Sequence, residues 1–424
     1  MACEPEGAGR RRLAFVYHPY SFGTMAVAEA ARAVCELIWI VDTTQPEVAS
    51  MSRMLRRLGE LIDVAGMSVQ AAAEAVEAAR PDGILALADS QLQWTADLAE
   101  RLGLLHSPPA AAAALMDKFL QRTALHAGGL PVPGFWLVPD RDEDESWKTI
   151  EGEIRFPALL KPRAGHASRD VVKVASLEAL QLRLGEVGEE LDGEQAGFVI
   201  EEYLEDRPSD RAAEFAGYVS VESIVSGGQV SHLAVTGRFP LAEPFRETGF
   251  FIPSALADQD RDAVLAVASA AIAAIGVSVG CLHTEIKLTP DGPRVIEVNG
   301  RIGGGVPEML AAITDIELLA IAMRLALGEL IVFEALPVYR EVGYLLYVQA
   351  PATMRRVLGV EGLEQLRADP NVELVILNHG PGYELDWRKG NQEHVFSVLG
   401  AVNDHQQLKL LRRRVLAETR ISGE

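Results

Sequence analysis

Residues 283–305, HTEIKLTPDGPRVIEVNGRIGGG, restrict the fold more than any other part of this chain, because their chelating and cationic groups become useful together in only one geometry. Turn-forming residues crowd Thr289-Pro290-Asp291-Gly292-Pro293. Glycine supplies a positive φ there and proline a fixed one, so two strands are expected to meet as a hairpin. With the turn centred on Asp291, Leu288 faces Arg294, Glu285 faces Glu297 and His283 faces Asn299. Alternation along each strand then places His283, Glu285, Lys287, Glu297 and Asn299 on a polar face. Leu282, Thr284, Ile286, Leu288, Ile296 and Val298 form the opposite, core face.

Directly opposed glutamates destabilise a sheet unless something neutralises them. Two carboxylates and an amide oxygen are hard ligands that suit Mg²⁺, which takes one or two carboxylates and completes its shell with water and substrate phosphate. A solvated hairpin would also carry acidic pairs, but it does not account for Arg301 and the run Gly303-Gly304-Gly305 that follow at once. His283 has two readings: it orients a metal ligand or an incoming carboxylate, or it is a hydrogen-bonded strand histidine. Lys287 reads as a structural ion-pair partner of Glu285.

A chain of 424 residues, 49% hydrophobic and 23% charged, has room for two or three domains with proper cores. Its formal charge of −21 argues against nucleic acid or an anionic membrane as the main partner. An anionic substrate such as a nucleotide would need a locally basic pocket or a metal. Cys3, Cys35 and Cys281 are few and odd in number, which excludes a disulfide framework and a zinc cluster and points to a reducing compartment. The start, MACEPEGAGRRR, has no apolar stretch behind its charges, and no run approaches the roughly 18 apolar residues of a membrane span. A cytoplasmic protein with a frayed start is expected.

Along the chain, strands at 13–17, 38–41 and 84–88 alternate with helices at 25–36 and 69–80, the pattern of a parallel α/β sheet. Ligands bind at the carboxyl ends of such strands, so His18, Tyr20, Asp89 and Ser90 are either substrate contacts or plain loop residues. Ser107-Pro108-Pro109 breaks the chain before an alanine run that leads into Asp117-Lys118, and Pro131-Val132-Pro133-Gly134 opens another domain. The acidic stretch 140–145 reads as a solvated loop. Strands at 156–161 and 171–174 flank a Gly- and Ser-containing loop opened by Lys161, which can aim N–H groups and an ammonium at phosphate. A strand at 198–202 runs into Tyr203-Leu204, side chains suited to a flat pocket. A hairpin at 219–225 and 230–235 turns at Gly227-Gly228, and helices follow at 263–275 and 316–327. Segments 342–349, 372–377 and 404–418 read as a separate α+β unit. The expected division is a tail at 1–12, an α/β domain at 13–110, a central domain at 111–335 with a phosphate-loop subdomain at about 131–204, and an extension at 336–424.

The ordered set Asp117-Lys118, Lys161 with its loop, Glu201-Glu202-Tyr203-Leu204, Glu285 and Glu297-Val298-Asn299-Gly300-Arg301 resembles the ATP-grasp superfamily, in particular carboxylate-amine ligases such as bacterial L-amino acid ligases that make dipeptides. The specific part is a Glu on one strand followed by Glu-x-Asn-x-Arg on the next. The resemblance implies an α/β and α+β architecture: a Rossmann-like pre-ATP-grasp domain, the ATP-grasp fold and a small α+β C-terminal extension. It implies ATP with Mg²⁺ or Mn²⁺ as cofactors. Lys118 and Lys161 would hold the phosphates, with Ser168 and its neighbours closing over them. Glu201 would take the adenine amino group, and the backbones of Glu202 and Leu204 would pair with the adenine edge. Glu285, Glu297 and Asn299 would bind the metal, and Arg301 would stabilise the transferred phosphoryl group and the tetrahedral intermediate. Gly303, Gly304 and Gly305 would present N–H groups to substrate, and Glu247, Thr248 and Gly249 resemble a substrate-side segment.

The chain departs from the pattern at Asp170, where glycine is usual, and at Tyr218, where a ribose-binding glutamate is often found; Glu205, Asp206 or Glu214 would replace it. The implied reaction joins a carboxylate to an amine through an acyl phosphate, releasing ADP and phosphate. Phosphoryl transfer asks mainly for positioning and charge neutralisation, which fits the lack of a Cys/His or Ser/His/Asp set. Small-molecule carboxylates and amines are the expected partners, not nucleic acid or membrane, and a homodimer is compatible. The alternatives are a biotin-carboxylase-like enzyme activating bicarbonate and a non-catalytic nucleotide-binding regulator.

Overall fold

The computed structural model describes residues 9–19, 21–138, 144–165, 170–187, 197–209, 212–243 and 245–424. The first strands, Arg12–Val16 (β1), Glu36–Val41 (β2), Glu60–Asp63 (β3) and Gly83–Ala86 (β4), form a parallel sheet in the order β3-β2-β1-β4. The runs LAFV and LIWIV are buried almost throughout, as expected of strands covered on both faces by helices. The helix expected at 25–36 spans Thr24–Arg32, because Glu36 already begins β2. β3 and the helix Pro46–Leu58 before it had no expected counterpart.

Helices Pro109–Met116 and Lys118–Ala127 meet at Asp117, which is extended (φ −115°, ψ 112°). Its Oδ1 accepts from Phe119 N (2.9 Å) and Leu120 N (3.0 Å), the capping role that favours Asp at this position. The strands Phe135–Leu137 (β5), Ala158–Pro162 (β6), Val172–Val174 (β7) and Phe198–Glu202 (β8) make an antiparallel sheet in the order β5-β8-β6-β7.

The large sheet contains Tyr218–Ser226 (β9), Gln229–Arg238 (β10), Gly249–Ile252 (β11), Gly280–Thr289 (β12), Gly292–Asn299 (β13) and Val342–Gln349 (β14). Val357–Glu361 (β15) and Arg420–Gly423 (β18) pair with each other, while Val372–Leu377 (β16) and His394–Val402 (β17) join the large sheet. Its order is β13-β12-β9-β10-β11-β14-β17-β16. The C-terminal segment is therefore not a separate unit. β14 pairs antiparallel with β11, and Phe239 and Phe251 share one apolar cluster with Tyr344, Leu346, Phe396 and Val398. Burying that common face joins the extension to the sheet.

The hairpin corrects the expected register in a specific way. The inner pairs are Leu288 with Pro293, Lys287 with Arg294 and Ile286 with Val295; a bulge follows, and beyond it Glu285 faces Glu297 and His283 faces Asn299. Leu288 thus does not face Arg294. The turn is tighter than assumed by one residue, and the bulge restores the outer register. Its second consequence falls on the core: Val295 is buried, whereas Ile296 lines a cavity instead of joining the core face.

Candidate active site

A cavity of about 1030 Å³ opens where the N-terminal sheet's loops, the β5–β8 sheet and the large sheet converge. Lys118 enters it from the first turn of its helix. Its amide donates to Arg163 O (2.9 Å), while Nζ lies 3.1 Å from Gly165 O and 3.0 Å from Glu297 Oε1. Asp117 and Arg163 also form an ion pair, so the cap of this helix is tied to the start of the loop after β6. Ser168 lies outside the described residues.

Lys161, on β6, is buried with Nζ 2.8 Å from Glu201 Oε2. Arg122 grips the same carboxylate through Nε and one terminal nitrogen, each at 3.0 Å. Burial works to raise the Glu201 pKa, but Arg122 and Lys161 prevail and bring it to about 2. Glu201 lines the cavity, yet its carboxylate already receives three N–H contacts and holds Lys161 in place. Arg122 was missed in the sequence, where the available signal was its spacing: Lys118, Gln121, Arg122 and Leu125 fall on one helical face.

The Glu202 amide donates to Gly134 O (2.9 Å) and its Oε2 accepts from Gly134 N (3.0 Å). The Leu204 amide meets no acceptor among the described residues and remains the available donor of this segment.

Across the cavity, Glu285 Oε1 lies 3.5 Å from His283 Nε2 and 3.8 Å from a terminal nitrogen of Arg238. Two cations and the facing Arg301 hold its pKa at about 2 against the desolvation that raises it. Asn299 donates from Nδ2 to His283 O (3.3 Å). Among the described residues no group of three His, Cys, Asp or Glu side chains makes a self-sufficient metal cage. Two opposed carboxylates with an adjacent amide nevertheless fit Mg²⁺, whose other ligands come from water and phosphate. Lys118 and Arg238 balance those carboxylates in the structure, where a cation is needed in any case.

His283 borders the cavity, but it is largely buried and both ring nitrogens have close neighbours. Nδ1 lies 2.9 Å from Glu222 Oε2, and a terminal nitrogen of Arg238 lies 2.9 Å from Nε2. Burial acts to lower its pKa, but the Glu222 carboxylate raises it to about 9. Glu222 and Arg238 were both missed. The sequence signals were a glutamate inside the otherwise apolar and hydroxyl-bearing strand YVSVESIVS and an arginine ending β10. Arg238 also pairs with Glu247 and donates to Ser220 Oγ (3.0 Å).

Arg301 Nε donates to Asp89 Oδ2 (2.7 Å), and NH1 donates to Ile302 O (3.1 Å). Burial lowers its pKa, but Asp89 more than compensates. Asp89 begins a short 3₁₀ turn just beyond β4, so the N-terminal sheet helps to set the arginine. His18 and Ser90 reach the same cavity; Tyr20 lies outside the described residues.

Several expected substrate contacts are placed elsewhere. Of the glycine run, only Gly304 lines the cavity. A Cβ on Gly303 would stand 2.7 Å from His283 Nδ1, and Gly305 adopts φ +73° before the helix Val306–Ile313; packing and backbone conformation explain these two. Thr248 and Gly249 do not line the cavity. Thr248 Oγ1 donates to Pro240 O (2.8 Å), and a Cβ on Gly249 would strike Leu345 O at 2.2 Å. Lys287 pairs with Asp206 (2.8 Å), not with Glu285. Of the three acids considered near the ribose position, Asp206 borders the cavity, whereas Glu214 pairs with Lys409 and Arg413. Asp170 adopts φ +55°, a left-handed conformation that suits the glycine expected there.

A family model described as ATP-grasp domain matches residues 154–308. Alanine–anticapsin ligase of Bacillus subtilis is 28% identical over 239 residues, covering 54% of this chain and 48% of that protein. Carnosine synthase 1 of Homo sapiens is 24% identical over 290 residues, covering 64% of this chain and 32% of the relative. The chain thus spans about half or less of these relatives' length. The crystal structure of an L-amino acid ligase from Bacillus licheniformis superposes with a TM-score of 0.75 at 20% identity, covering 98% of this chain and all of that one. Residues 154–308 are thus similar to an ATP-grasp domain, and the chain shares its fold with an L-amino acid ligase and is similar in sequence to an alanine–anticapsin ligase and a carnosine synthase.

Proposed function

We propose that the protein is an ATP- and Mg²⁺-dependent ligase that joins the carboxylate of an amino acid or similar molecule to an amine, through an acyl phosphate, with release of ADP and phosphate. The observation that carries this reading is the convergence of Lys118, Lys161, Glu285, Glu297, Asn299 and Arg301 on one cavity. Lys118 and Lys161 offer two ammonium groups to the nucleotide phosphates, and Glu201 with Arg122 keeps Lys161 aimed. Leu204 N–H and the Glu202 carbonyl take the adenine edge, and Asp206 takes the ribose. Glu285, Glu297 and Asn299 hold the metal, which neutralises phosphate charge when bound. Arg301, steadied by Asp89, faces the oxygens on which charge develops as carboxylate attacks phosphorus and as amine then displaces phosphate.

The similarity to a ligase of alanine and anticapsin and to a carnosine synthase supports amide formation over bicarbonate activation or a non-catalytic regulator. Among the described residues no helix is long and apolar enough to cross a membrane, which is compatible with action on small molecules in the cytoplasm. The test is a phosphate-release screen over pairs of amino acids with ATP, followed by mass analysis of products. ADP together with a condensed product is expected. AMP would overturn the mechanism.

A further inference from the structure

The nucleotide and metal residues occupy only part of the cavity, and the remainder has a different chemistry. Phe245, Phe250, Tyr347 and His394 line it from the loop before β11, from β11 itself, and from β14 and β17. Phe250 and Tyr347 meet edge to face with centroids 5.7 Å apart; Tyr347 and His394 lie 4.3 Å apart at 33°. The Phe250 ring approaches the glycine loop, since a Cβ on Gly305 would be 3.5 Å from its Cζ. An aromatic strip therefore runs from the loop beside Arg301 towards the C-terminal strands. The Tyr347 hydroxyl finds no protein partner among the described residues.

Phe245 has φ +53°, a backbone state that a bulky residue rarely adopts and that persists where surrounding contacts impose it. Those contacts are present. Ala242 and Arg246 exchange backbone bonds of 2.8 Å, and buried Arg246 donates to Glu243 O (2.7 Å) and Ala350 O (2.9 Å). Gln349 donates to Glu247 O (2.8 Å), which pins the same loop to the end of β14. The phenyl ring thus presented to the cavity makes no ring contact among the described residues. A simple loop would place a polar residue or glycine at such a position. A loop fastened by these bonds that sets a half-buried phenyl group against a cavity is a built wall.

We infer that one of the two molecules joined carries an aromatic side chain, seated against Phe245 and the Phe250–Tyr347–His394 strip. This rests on the ligase reading above and names its substrate class. Aromatic rings favour edge-to-face and offset contacts at centroid separations of about 4.5–7 Å; Arg238 lies over the Phe250 ring at 5.1 Å, so a further ring would meet the strip at Phe245, Tyr347 and the Phe250 edge. The C-terminal strands then have a role beyond extending the sheet: they select the side chain, while the hairpin serves the nucleotide.

Two measurements test the inference. L-phenylalanine and L-alanine are titrated calorimetrically into the full chain with Mg²⁺ and a non-hydrolysable ATP analogue. Phosphate release is then followed with each as carboxylate donor and as amine acceptor, the order being read from product fragmentation. Phenylalanine should bind at least roughly tenfold more tightly than alanine, a discrimination within reach of an apolar pocket. Phe245→Gly removes the ring and relieves the positive φ, so the fold is retained, and it should reduce that ratio severalfold. Tyr347→Leu keeps apolar bulk and should reduce it too. Equal binding of the two amino acids, or a preference untouched by both variants, overturns the inference. A phenylalanine preference without phosphate release from any pair upholds the aromatic subsite and overturns the ligase reading instead.

Discussion

Two clusters of opposed charges face the same cavity, and they are built differently. Arg122, Glu201 and Lys161 are all buried, and each N–H···O contact is 2.8–3.0 Å. Around the hairpin, Glu285 stands 3.5–3.8 Å from its cationic neighbours, and the side chains of Glu285 and Glu297 are 24% and 22% exposed. Closed charge clusters are costly to break and ill suited to exchange partners. Lys118 stands 3.0 Å from Glu297, as close as the contacts of the first cluster, but both hairpin carboxylates stay partly open, and on the proposed reading a bound metal would take the place of the ammonium or guanidinium. The first cluster holds Lys161 in place; the second leaves its two carboxylates partly exposed to the cavity.

Arg122→Met should break this contrast most severely. Removing one partner of a buried ion pair typically destabilises by about 3–5 kcal/mol, which denaturant unfolding would register. The pH dependence follows with a definite sign. Because the folded-state pKa of Glu201 is depressed to about 2, its contribution is fully present above the ordinary carboxylate value near 4.5 and is lost as pH falls towards 2. With Arg122 replaced, the acid unfolding transition should move to higher pH. An unchanged transition would mean that Glu201 is not held as described.

Arg301→Ala addresses the hairpin side of the cavity. Phosphate release should fall by roughly 10²–10³, or about 3–4 kcal/mol in the barrier, with nucleotide binding nearly intact. Wild-type turnover in this variant would remove Arg301 from the reaction. Glu297→Gln should be milder, weakening Mg²⁺-dependent nucleotide binding about tenfold, roughly 1.4 kcal/mol, in calorimetry with and without metal. Metal-independent weakening would instead point to the lost Lys118 contact. The smallest effect is expected for Thr248→Val, which removes the bond to Pro240 O and should cost about 1 kcal/mol of stability. Substrate KM should stay within about twofold, and a larger change would return Thr248 to the substrate side.

The hairpin shows how far the sequence carries. Period-two alternation and a dense turn were enough to bring Glu285 opposite Glu297 and His283 opposite Asn299. They could not reveal that a tight turn and a bulge cancel, because both change the residue count by one in opposite senses. The error surfaced only at Leu288 and Ile296. Likewise the short apolar segments of the C-terminal region signalled strands at Val342–Gln349 and Val372–Leu377, but not β17 between them in the sheet. Strand order depends on which apolar face finds which partner, and no local pattern encodes that.

Local chemistry along the chain determined which groups are available: the facing glutamates, the arginine beyond them, the two lysines and the turn residues that allow a hairpin. These follow from side-chain identity and short-range geometry, so they are legible in one dimension. Tertiary structure decided which charges meet. Arg122 reaches Glu201 across 79 residues, Arg301 reaches Asp89 across 212, and the aromatic strip gathers β11, β14 and β17. Burial then sets the worth of each contact, since a charge removed from water must find its counter-ion wherever the fold has placed one.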